Sequence, residues 1–272
     1  MLKKLEFIVN ENTTVKEFIY KNISRNFYGY LKEHEVIFNI NGHYSKAHEN
    51  LHYKDQLSII YNEEKTQEGV LSSGIIDIIY EDEYYIVVDK PAHLQSIPSA
   101  NNPNDSVFNR LLYYFKDSND TVHLINRLDK ETKGLVFIAK SNYATAIIKE
   151  VNKVYFAKTT KPLEINIGII DLPIAKSTEG IKRIIDFENG KKAITQYKLI
   201  SSDNLYTYEV NLLTGRTHQI RLHFSYLNSP LINDTLYGGE IYGDKTLGLV
   251  CKIISFTHPI TKEKIILKSK YE

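Results

Sequence analysis

The stretch INRLDKETKGLVFIAKS, residues 125–141, places charged side chains directly before an apolar run. Arg127 and Asp129 precede a Thr-x-Gly turn, and the run GLVFIA that follows predicts a buried strand. Charge at the edge of a buried element is rare unless the charges are paired or take part in chemistry. The alternative is a surface turn in which Thr132 caps the chain and Gly134 takes a positive φ angle. The choice between these interpretations depends on the rest of the chain.

The composition is that of an ordinary globular protein. The chain has 272 residues, of which 42% are hydrophobic and 25% charged, enough for one or two domains. The single cysteine, Cys251, excludes an intramolecular disulfide and fits a reducing compartment. No apolar run reaches the roughly 18 residues that a membrane helix needs, and the apolar stretch near the N-terminus is too short for a signal peptide. We therefore expect a cytoplasmic protein without a membrane partner.

A polar segment divides the chain. EEKTQEGVLSSG, residues 63–74, is charged, ends in Ser and Gly, and is typical of a linker. It separates a small unit over residues 1–62 from a larger one over residues 75–272. The larger unit shows many short predicted strands, few helices and no βαβ alternation, which predicts an α+β fold with a largely antiparallel mixed sheet. Within it, NYATAIIKEVNK, residues 142–153, is expected to be a helix.

The small unit is predicted to contain two short helices followed by strands. Thr14 is the expected N-cap of the first helix, and a hairpin turn is expected at Asn41 and Gly42. Basic side chains share the helical surface: Lys16, Lys21, Arg25 and Lys32. This pattern resembles the αL-type RNA-binding module of a small-subunit ribosomal protein. It is also typical of any small α+β domain with a solvated basic face.

A second cluster of charged residues lies in LLTGRTHQIRLHF, residues 212–224. A strand ends, a turn follows, and a helix is expected to open with Arg216 and His218, where free backbone N–H groups favour a phosphate. Arg221 lies one turn later in a semi-apolar stretch and needs a carboxylate partner, for which Asp129 is the natural candidate. Such a pair would keep Asp129 ionised as a nucleophile. The alternative is a helix with ordinary surface arginines.

Several other chemistries lack their sequence patterns. No Cys/His spacing fits a metal site, and His218 and His223 are five residues apart instead of the four that align ligands on a helix. The chain contains neither a Gly-rich phosphate loop nor a G-x-S-x-G element. We therefore expect an activity without a metal and without a cofactor.

Taken together and in order, these stretches resemble the RluA-type RNA pseudouridine synthases. Between about residues 75 and 264, six elements match family motifs: DKPAHLQSIPS, NRLDKETKGL, VYFAK, TGRTHQIRLHF, SPLINDTLYGG and SFTHPITKEK. The run TGRTHQIR is intact, and eight matching residues are very specific. The chain departs from the family pattern at His93, Ile97, Asn126, Lys133, Asn228, Ser229 and Val250.

The resemblance implies that the protein isomerises uridine in RNA to pseudouridine. Asp129 would be the catalytic carboxylate, acting on the ribose anomeric carbon or on the pyrimidine ring. Tyr155 would pack on the uracil, Leu222 would line the base pocket, and Arg221 would pair with Asp129. Contacts with RNA would come from Arg127, Arg216, Lys90 and His218.

The expected partner is RNA, ribosomal RNA before tRNA, and the protein is expected to be a monomer. The departures from the motifs motivate a different hypothesis, in which the active site has decayed and the protein binds RNA during ribosome assembly. A third interpretation is an α+β enzyme that does not act on RNA and carries the motifs by coincidence.

Overall fold

The computed structural model describes residues 1–64, 69–178 and 180–272. The first part of the chain forms the strands and helices β1 Leu2–Ile8, β2 Thr13–Thr14, α1 Val15–Asn22, α2 Arg25–Glu33, β3 Val36–Ile40, β4 His43–Ser45, β5 Asn50–Leu51 and β6 Gln56–Asn62. Four of these strands make an antiparallel sheet in the order β1-β6-β3-β4. Buried residues of α1, α2 and this sheet form one apolar cluster.

Local sequence signals explain most of this part. The Thr14 side chain accepts a hydrogen bond from the Glu17 N–H and caps α1, as predicted. Asn41 and Gly42 both take positive φ angles in the β3–β4 hairpin, which confirms the predicted turn. Strand β1 was not predicted, because its apolar residues do not alternate regularly and two of them, Leu2 and Ile8, are exposed.

The remaining elements are β7 Ile78–Glu81, β8 Tyr85–Lys90, α3 Val107–Tyr114, β9 His123–Leu124, β10 Lys133–Ala139, α4 Asn142–Ile147, β11 Val151–Thr159, β12 Ile167–Asp171, β13 Ile174–Lys176, β14 Arg183–Ile185, β15 Ile194–Ser201, β16 Tyr206–Leu212, α5 Gln219–Tyr226, β17 Leu249–Thr257 and β18 Lys264–Lys268. A large sheet has the strand order β12-β15-β16-β11-β17-β10-β8-β7, with β9 paired to β10 and β18 paired to β17. Among the described residues, its strand pairings are all antiparallel except that of β10 with β17. The predicted α+β class with a largely antiparallel mixed sheet is confirmed.

The parallel pairing of β10 with β17 depends on a glycine. Gly134 has a φ angle of 110°, and a Cβ atom there would lie 2.4 Å from the Cys251 carbonyl oxygen. Only glycine accepts both the angle and the close approach. The positive φ expected for Gly134 is therefore found, and its reason is the neighbouring strand.

The predicted helix over residues 142–153 is too long. Helix α4 ends at Ile147, and β11 begins at Val151, where the chain pairs with Phe256 of β17. Pairing with the central sheet overrides the helical periodicity here. Strands β9, β12, β13, β14 and β18 were also not predicted.

The N-terminal part packs directly against the larger part. Tyr143 and Ile147 of α4 belong to the N-terminal apolar cluster. Glu63, expected at the start of a solvated linker, is 0% exposed and accepts hydrogen bonds from the Thr121 hydroxyl and the Asn142 N–H. Residues 65–68 of the predicted linker lie outside the described residues. The division into domains at residue 62 stays a prediction.

Candidate active site

The loop between β9 and β10 is fastened to β10 before it reaches Asp129. Asn126 accepts a hydrogen bond from the Phe137 N–H (2.8 Å) and donates one through Nδ2 to the Leu135 carbonyl (3.2 Å). The Asn126 side chain thus provides hydrogen-bond partners for two backbone groups of β10, the Phe137 N–H and the Leu135 carbonyl. Asn126 replaces a family histidine, and its two hydrogen bonds hold the start of the catalytic-loop candidate in place.

A second attachment holds the loop next to Asp129. The Leu128 N–H donates to Ser96 Oγ (2.9 Å), and the Ser96 hydroxyl donates to the Leu128 carbonyl (2.8 Å). Leu128 itself is buried, so the loop is anchored by packing as well. Its neighbours on both sides point outward: Arg127 is exposed, and the side chain of Asp129 is 28% exposed.

Lys90 is buried and hydrogen-bonds to the same loop from the protein interior. Its Nζ donates to the carbonyls of Pro91 (2.9 Å), Leu94 (2.7 Å) and Lys130 (3.1 Å). Because the side chain is 1% exposed, its ammonium is not available to an RNA phosphate. The prediction that Lys90 contacts RNA is therefore wrong. Lys90 fixes the residue that follows Asp129.

Burial lowers the pKa of Lys90 to about 7, although Asp129 and Glu131 act in the opposite direction. The folded protein therefore releases this proton at a lower pH than the unfolded chain, whose lysine titrates near 10.5. Between these values the unfolded state binds more protons, so stability should rise with pH.

The quantity to compare is the difference in free energy of unfolding between the parent and Lys90→Met. We expect this difference to shift in favour of the parent by about 2 kcal/mol between about pH 7 and about pH 9. Urea unfolding of both proteins at several pH values measures this difference. A difference that stays constant over this range would show that Lys90 titrates alike in the folded and unfolded states.

The opposite wall is built by the turn between β16 and α5. Gln219 is buried; its Oε1 accepts from the Arg216 N–H (2.9 Å) and the Thr214 hydroxyl (3.0 Å). Its Nε2 donates to the Ile194 carbonyl (3.0 Å) and so ties the turn to β15. Helix α5 begins at Gln219, three residues later than expected. Arg216 is exposed in the turn, as a phosphate contact would require.

A cavity of about 720 Å³ lies between these two walls. One wall comes from residues 95–99, 125–130 and Thr132, the other from residues 212–221, and the floor carries Lys153, Tyr155 and Leu249. Asp129 is the only carboxylate among the described residues that line it. Within the described ranges, no group of three or more His, Cys, Asp or Glu residues could hold a metal ion, and no helix is long and apolar enough to cross a membrane.

Arg221 reaches Asp129 but is held by a different carboxylate. The nearest atoms of the predicted pair, Arg221 Nη1 and Asp129 Oδ2, are 3.8 Å apart, within ion-pair range. Its two parallel hydrogen bonds go instead to Asp234, from Nε (2.8 Å) and Nη2 (2.7 Å). Asp234 is 1% exposed and Arg221 5%, so this is a buried bidentate pair. It leaves one edge of the guanidinium directed at Asp129.

His218 approaches Asp129 from the same wall. Its Nε2 lies 3.8 Å from Asp129 Oδ2, and its Nδ1 lies 3.0 Å from the hydroxyl of Tyr237. Its backbone has a φ angle of 58°, the left-handed conformation, at the residue before α5. Asp129 is therefore approached by one guanidinium and one imidazole in a cavity open to solvent.

The family model for RNA pseudouridylate synthases matches residues 84–226. This match covers more than half of the chain and includes both walls of the cavity. The chain belongs to this family. The synthase is thus an isomerase that acts on uridine in RNA.

Individual relatives agree with the family. The chain is 34% identical to the RNA pseudouridine synthase YjbO of Bacillus subtilis, over 83% of both chains. It is 30% identical to ribosomal large subunit pseudouridine synthase D of Pseudomonas aeruginosa, over 78% of this chain and 68% of that protein. The solved structure of human RNA pseudouridylate synthase domain containing 1 shares the fold, with a TM-score of 0.57 and 23% identity over 74% of this chain and 85% of that one.

Tyr155 forms part of the floor of the synthase's cavity. It lies on β11, is buried, and lines the space next to Asp129. Burial raises the pKa of its hydroxyl well above the ordinary value, so the phenol keeps its proton at neutral pH. Tyr155 therefore contributes an aromatic ring to the cavity, and its hydroxyl, next to the buried Cys251 thiol, cannot act as a base near neutrality.

Leu222 does not line the cavity. It packs on the other side of α5 in a small cluster with Ile174, Ala193 and Tyr237. The apolar helix residue that lines the cavity is Ile220, two positions earlier. Residues two apart on a helix point in different directions, so the prediction for Leu222 is wrong.

One departure from the family motifs is visible in the backbone. His93 stands where the family has glycine, and its φ angle is 65°. A non-glycine residue in this region carries strain. Its ring contacts Glu131, on the loop that carries Asp129, with 2.5 Å between Nδ1 and Oε2. The substitution therefore links the two segments of one cavity wall.

Two residues of the synthase's site were missed from sequence. Asp234 and Tyr237 both come from the element SPLINDTLYGG, which was matched to the family but given no role. The sequence signal for Asp234 is the arginine itself, because a guanidinium on an apolar helix can bind two carboxylates.

Proposed function

We propose that Asp129 is the catalytic carboxylate of this synthase. The observation that carries the proposal is that Asp129 is the only carboxylate among the described residues lining the cavity, with Arg221 and His218 directed at it. Both groups direct N–H groups toward Asp129, and such donors stabilise negative charge in a partly enclosed space. Isomerisation requires the bond between the ribose and uracil N1 to break and a bond to carbon 5 to form, without a change in oxidation state.

The substrate uridine has to leave its stack to reach such a cavity. Tyr155 is suited to pack against the uracil, since it lines the same cavity as Asp129. Arg127 is exposed on the same loop and is suited either to fill the space that the base vacates or to hold a phosphate. Arg216, exposed on the opposite wall, is suited to bind the backbone on the other side.

We further propose ribosomal RNA as the substrate, because several similar proteins are named ribosomal large subunit pseudouridine synthase D. In this proposal the enzyme works as a monomer in the cytoplasm, where that RNA is made. Transfer RNA is the second candidate substrate.

Tritium release tests the activity and the substrate together. Formation of the carbon–carbon bond displaces hydrogen from carbon 5, so RNA labelled there with tritium should release label to water. We expect release from ribosomal RNA and little from tRNA. Release from tRNA alone would overturn the substrate proposal, and release from neither, with RNA still bound, would favour the hypothesis of a decayed enzyme acting in ribosome assembly.

The N-terminal part carries a second surface suited to RNA, which we name the tyrosine–cation patch: Lys16, Tyr20, Arg25, Tyr28 and Lys32. Lys16 and Arg25 lie 5.5 and 5.6 Å from the Tyr20 ring centre, and Lys32 lies 5.7 Å from that of Tyr28. The two rings are 5.3 Å apart, so the five side chains are contiguous. Cations beside aromatic rings suit both phosphates and unstacked bases. Lys21, predicted for this surface, is paired with Glu11.

Replacing Lys16, Arg25 and Lys32 with Gln is expected to weaken RNA binding. The plot of log affinity against log salt concentration should also become less steep, by about two in slope, because three phosphate contacts are lost. Filter binding over a range of salt concentrations measures the slope. The full-length variant is preferable to a truncation, which would expose Tyr143 and Ile147.

The matched control removes the same charge elsewhere in the N-terminal part, through Lys4→Gln, Lys46→Gln and Lys54→Gln. These three side chains are exposed and lie outside the patch. We expect its salt slope to stay close to that of the parent. Equal slopes in the patch variant and the parent would contradict a role of the patch in binding RNA.

A further inference from the structure

We propose that Tyr237 and the β13–β14 hairpin fix His218 in one tautomer, so that its Nε2–H points at Asp129 and positions that carboxylate. Tyr237 and His218 are positioning residues in this proposal, which rests on the proposed role of Asp129. The hydrogen-bonded chain runs from the Arg183 backbone N–H through the Tyr237 hydroxyl to His218 and on toward Asp129.

The direction of the chain follows from the donors available. The Arg183 N–H donates to the Tyr237 oxygen at 2.8 Å. Burial raises the pKa of Tyr237, so its hydroxyl keeps a hydrogen to donate, and the His218 Nδ1 atom lies 3.0 Å away. A neutral imidazole whose Nδ1 accepts a hydrogen bond carries its own hydrogen on Nε2. The nitrogen nearest Asp129 is therefore a donor.

Burial and two neighbouring arginines keep His218 neutral. Burial is the largest effect and lowers the pKa of His218. The guanidinium groups of Arg221 and Arg183 lower this pKa further, whereas the carboxylates of Asp129 and Asp234 raise it. Tyr237 faces it through the hydroxyl already described. With its pKa below the ordinary value, the ring is mainly uncharged at neutral pH, which the tautomer argument requires.

The geometry also separates the two oxygens of Asp129. Oδ2 is the nearer oxygen to both His218 Nε2 and Arg221 Nη1, each at 3.8 Å. A closure of about 1 Å would turn both contacts into hydrogen bonds. Two donors on Oδ2 would fix the carboxylate plane and leave Oδ1 for the uridine. The rate should therefore depend on the Tyr237 hydroxyl although Tyr237 does not line the cavity.

Tyr237→Phe removes the hydroxyl and keeps the ring. Lys182 and Arg221 lie 5.8 and 5.3 Å from the ring centre, and these contacts remain in the variant. His218→Gln supplies an amide N–H at about the reach of Nε2 and has no tautomer to fix. The matched control is Tyr226→Phe, an exposed tyrosine on the same helix as Arg221.

Nitrogen-15 NMR of histidine-labelled synthase gives a readout that does not require activity. We expect the Nε2–H tautomer of His218 in the parent and in Tyr226→Phe. In Tyr237→Phe, a second tautomer should appear and the pKa of His218 should rise, because the hydrogen bond to the neutral ring is lost. An Nδ1–H tautomer in the parent, or no change in Tyr237→Phe, would overturn the proposal.

Single-turnover kinetics test the consequence for the reaction. We expect Tyr237→Phe to slow pseudouridine formation about tenfold with RNA affinity unchanged, and Tyr226→Phe to have no effect. In the His218→Gln background, adding Tyr237→Phe should change the rate less than about twofold. Equal losses in both backgrounds would overturn the proposal. If Asp129→Asn were fully active, the proposed function would fail while the NMR result could still stand, so the two failures are distinguishable.

Discussion

Replacing Asp129 with Asn is expected to lower the single-turnover rate of pseudouridine formation by more than about 10³-fold, or roughly 4 kcal/mol in the activation barrier. The amide has nearly the same shape as the carboxylate but lacks its negative charge, so it cannot act as a nucleophile. Chromatography of digested RNA separates pseudouridine from uridine and gives the rate. The fold should be retained, because among the described residues the Asp129 side chain makes only the two 3.8 Å contacts with His218 and Arg221 and no hydrogen bond.

Glu131→Gln is the matched control for this loss. Glu131 lies two residues further along the same loop and does not line the cavity. Its substitution removes one negative charge from the loop and should leave the rate within about threefold of the parent, about 0.7 kcal/mol. Residual activity of Asp129→Asn within about tenfold of the parent would contradict the assignment of Asp129.

The second large effect is expected at the buried pair of Arg221 and Asp234. Either Arg221→Met or Asp234→Asn leaves one buried charge without its partner, and we expect each to lower the free energy of unfolding by about 3–5 kcal/mol. The pair makes two hydrogen bonds and both residues are almost fully buried, so solvent screens it little. Urea unfolding measures the loss.

Double-mutant cycles identify which carboxylate is the true partner. Arg221→Met combined with Asp234→Asn should be less destabilised than the sum of the single losses, by about 2 kcal/mol or more. Arg221→Met combined with Asp129→Asn should show a coupling below about 1 kcal/mol, since Asp129 is partly exposed and makes only a 3.8 Å contact. The opposite order of couplings would show that Asp129, and not Asp234, holds the arginine in solution.

Sequence reasoning located the two walls of the site but not their internal support. Asp129 and Arg221 were expected to meet, and they do approach each other, because charges beside apolar runs need a partner or a role. The sequence could not reveal that Asp234 takes both hydrogen bonds. Distance along the chain carries no information about which carboxylate the fold brings to a buried cation.

The errors at Lys90 and Leu222 have a common cause. A motif places a residue near a site, but the side chain's direction depends on its tertiary surroundings. Lys90 turns inward to three carbonyls, and Leu222 turns to the far side of α5. Buried lysine is uncommon, so an exposed cation was the better expectation from sequence.

The extent of the secondary structure shows the same limit. The Thr14 cap and the turn at Asn41 and Gly42 were predicted, because each depends on side chains close in sequence. The end of α4 at Ile147 was not, since it depends on the pairing of β11 with β17 more than a hundred residues later. Buried Glu63 was also missed, because its partners Thr121 and Asn142 are distant in sequence.

The most direct test of the account is a structure of the Asp129→Asn synthase bound to an RNA that contains its target uridine. The account predicts an unstacked uridine in the cavity between residues 125–132 and 212–221, with the uracil against Tyr155 and the substituted side chain beside the glycosidic bond. A bound RNA whose uridine lies outside this cavity, or whose reacting atoms face a carboxylate other than that of residue 129, would contradict it.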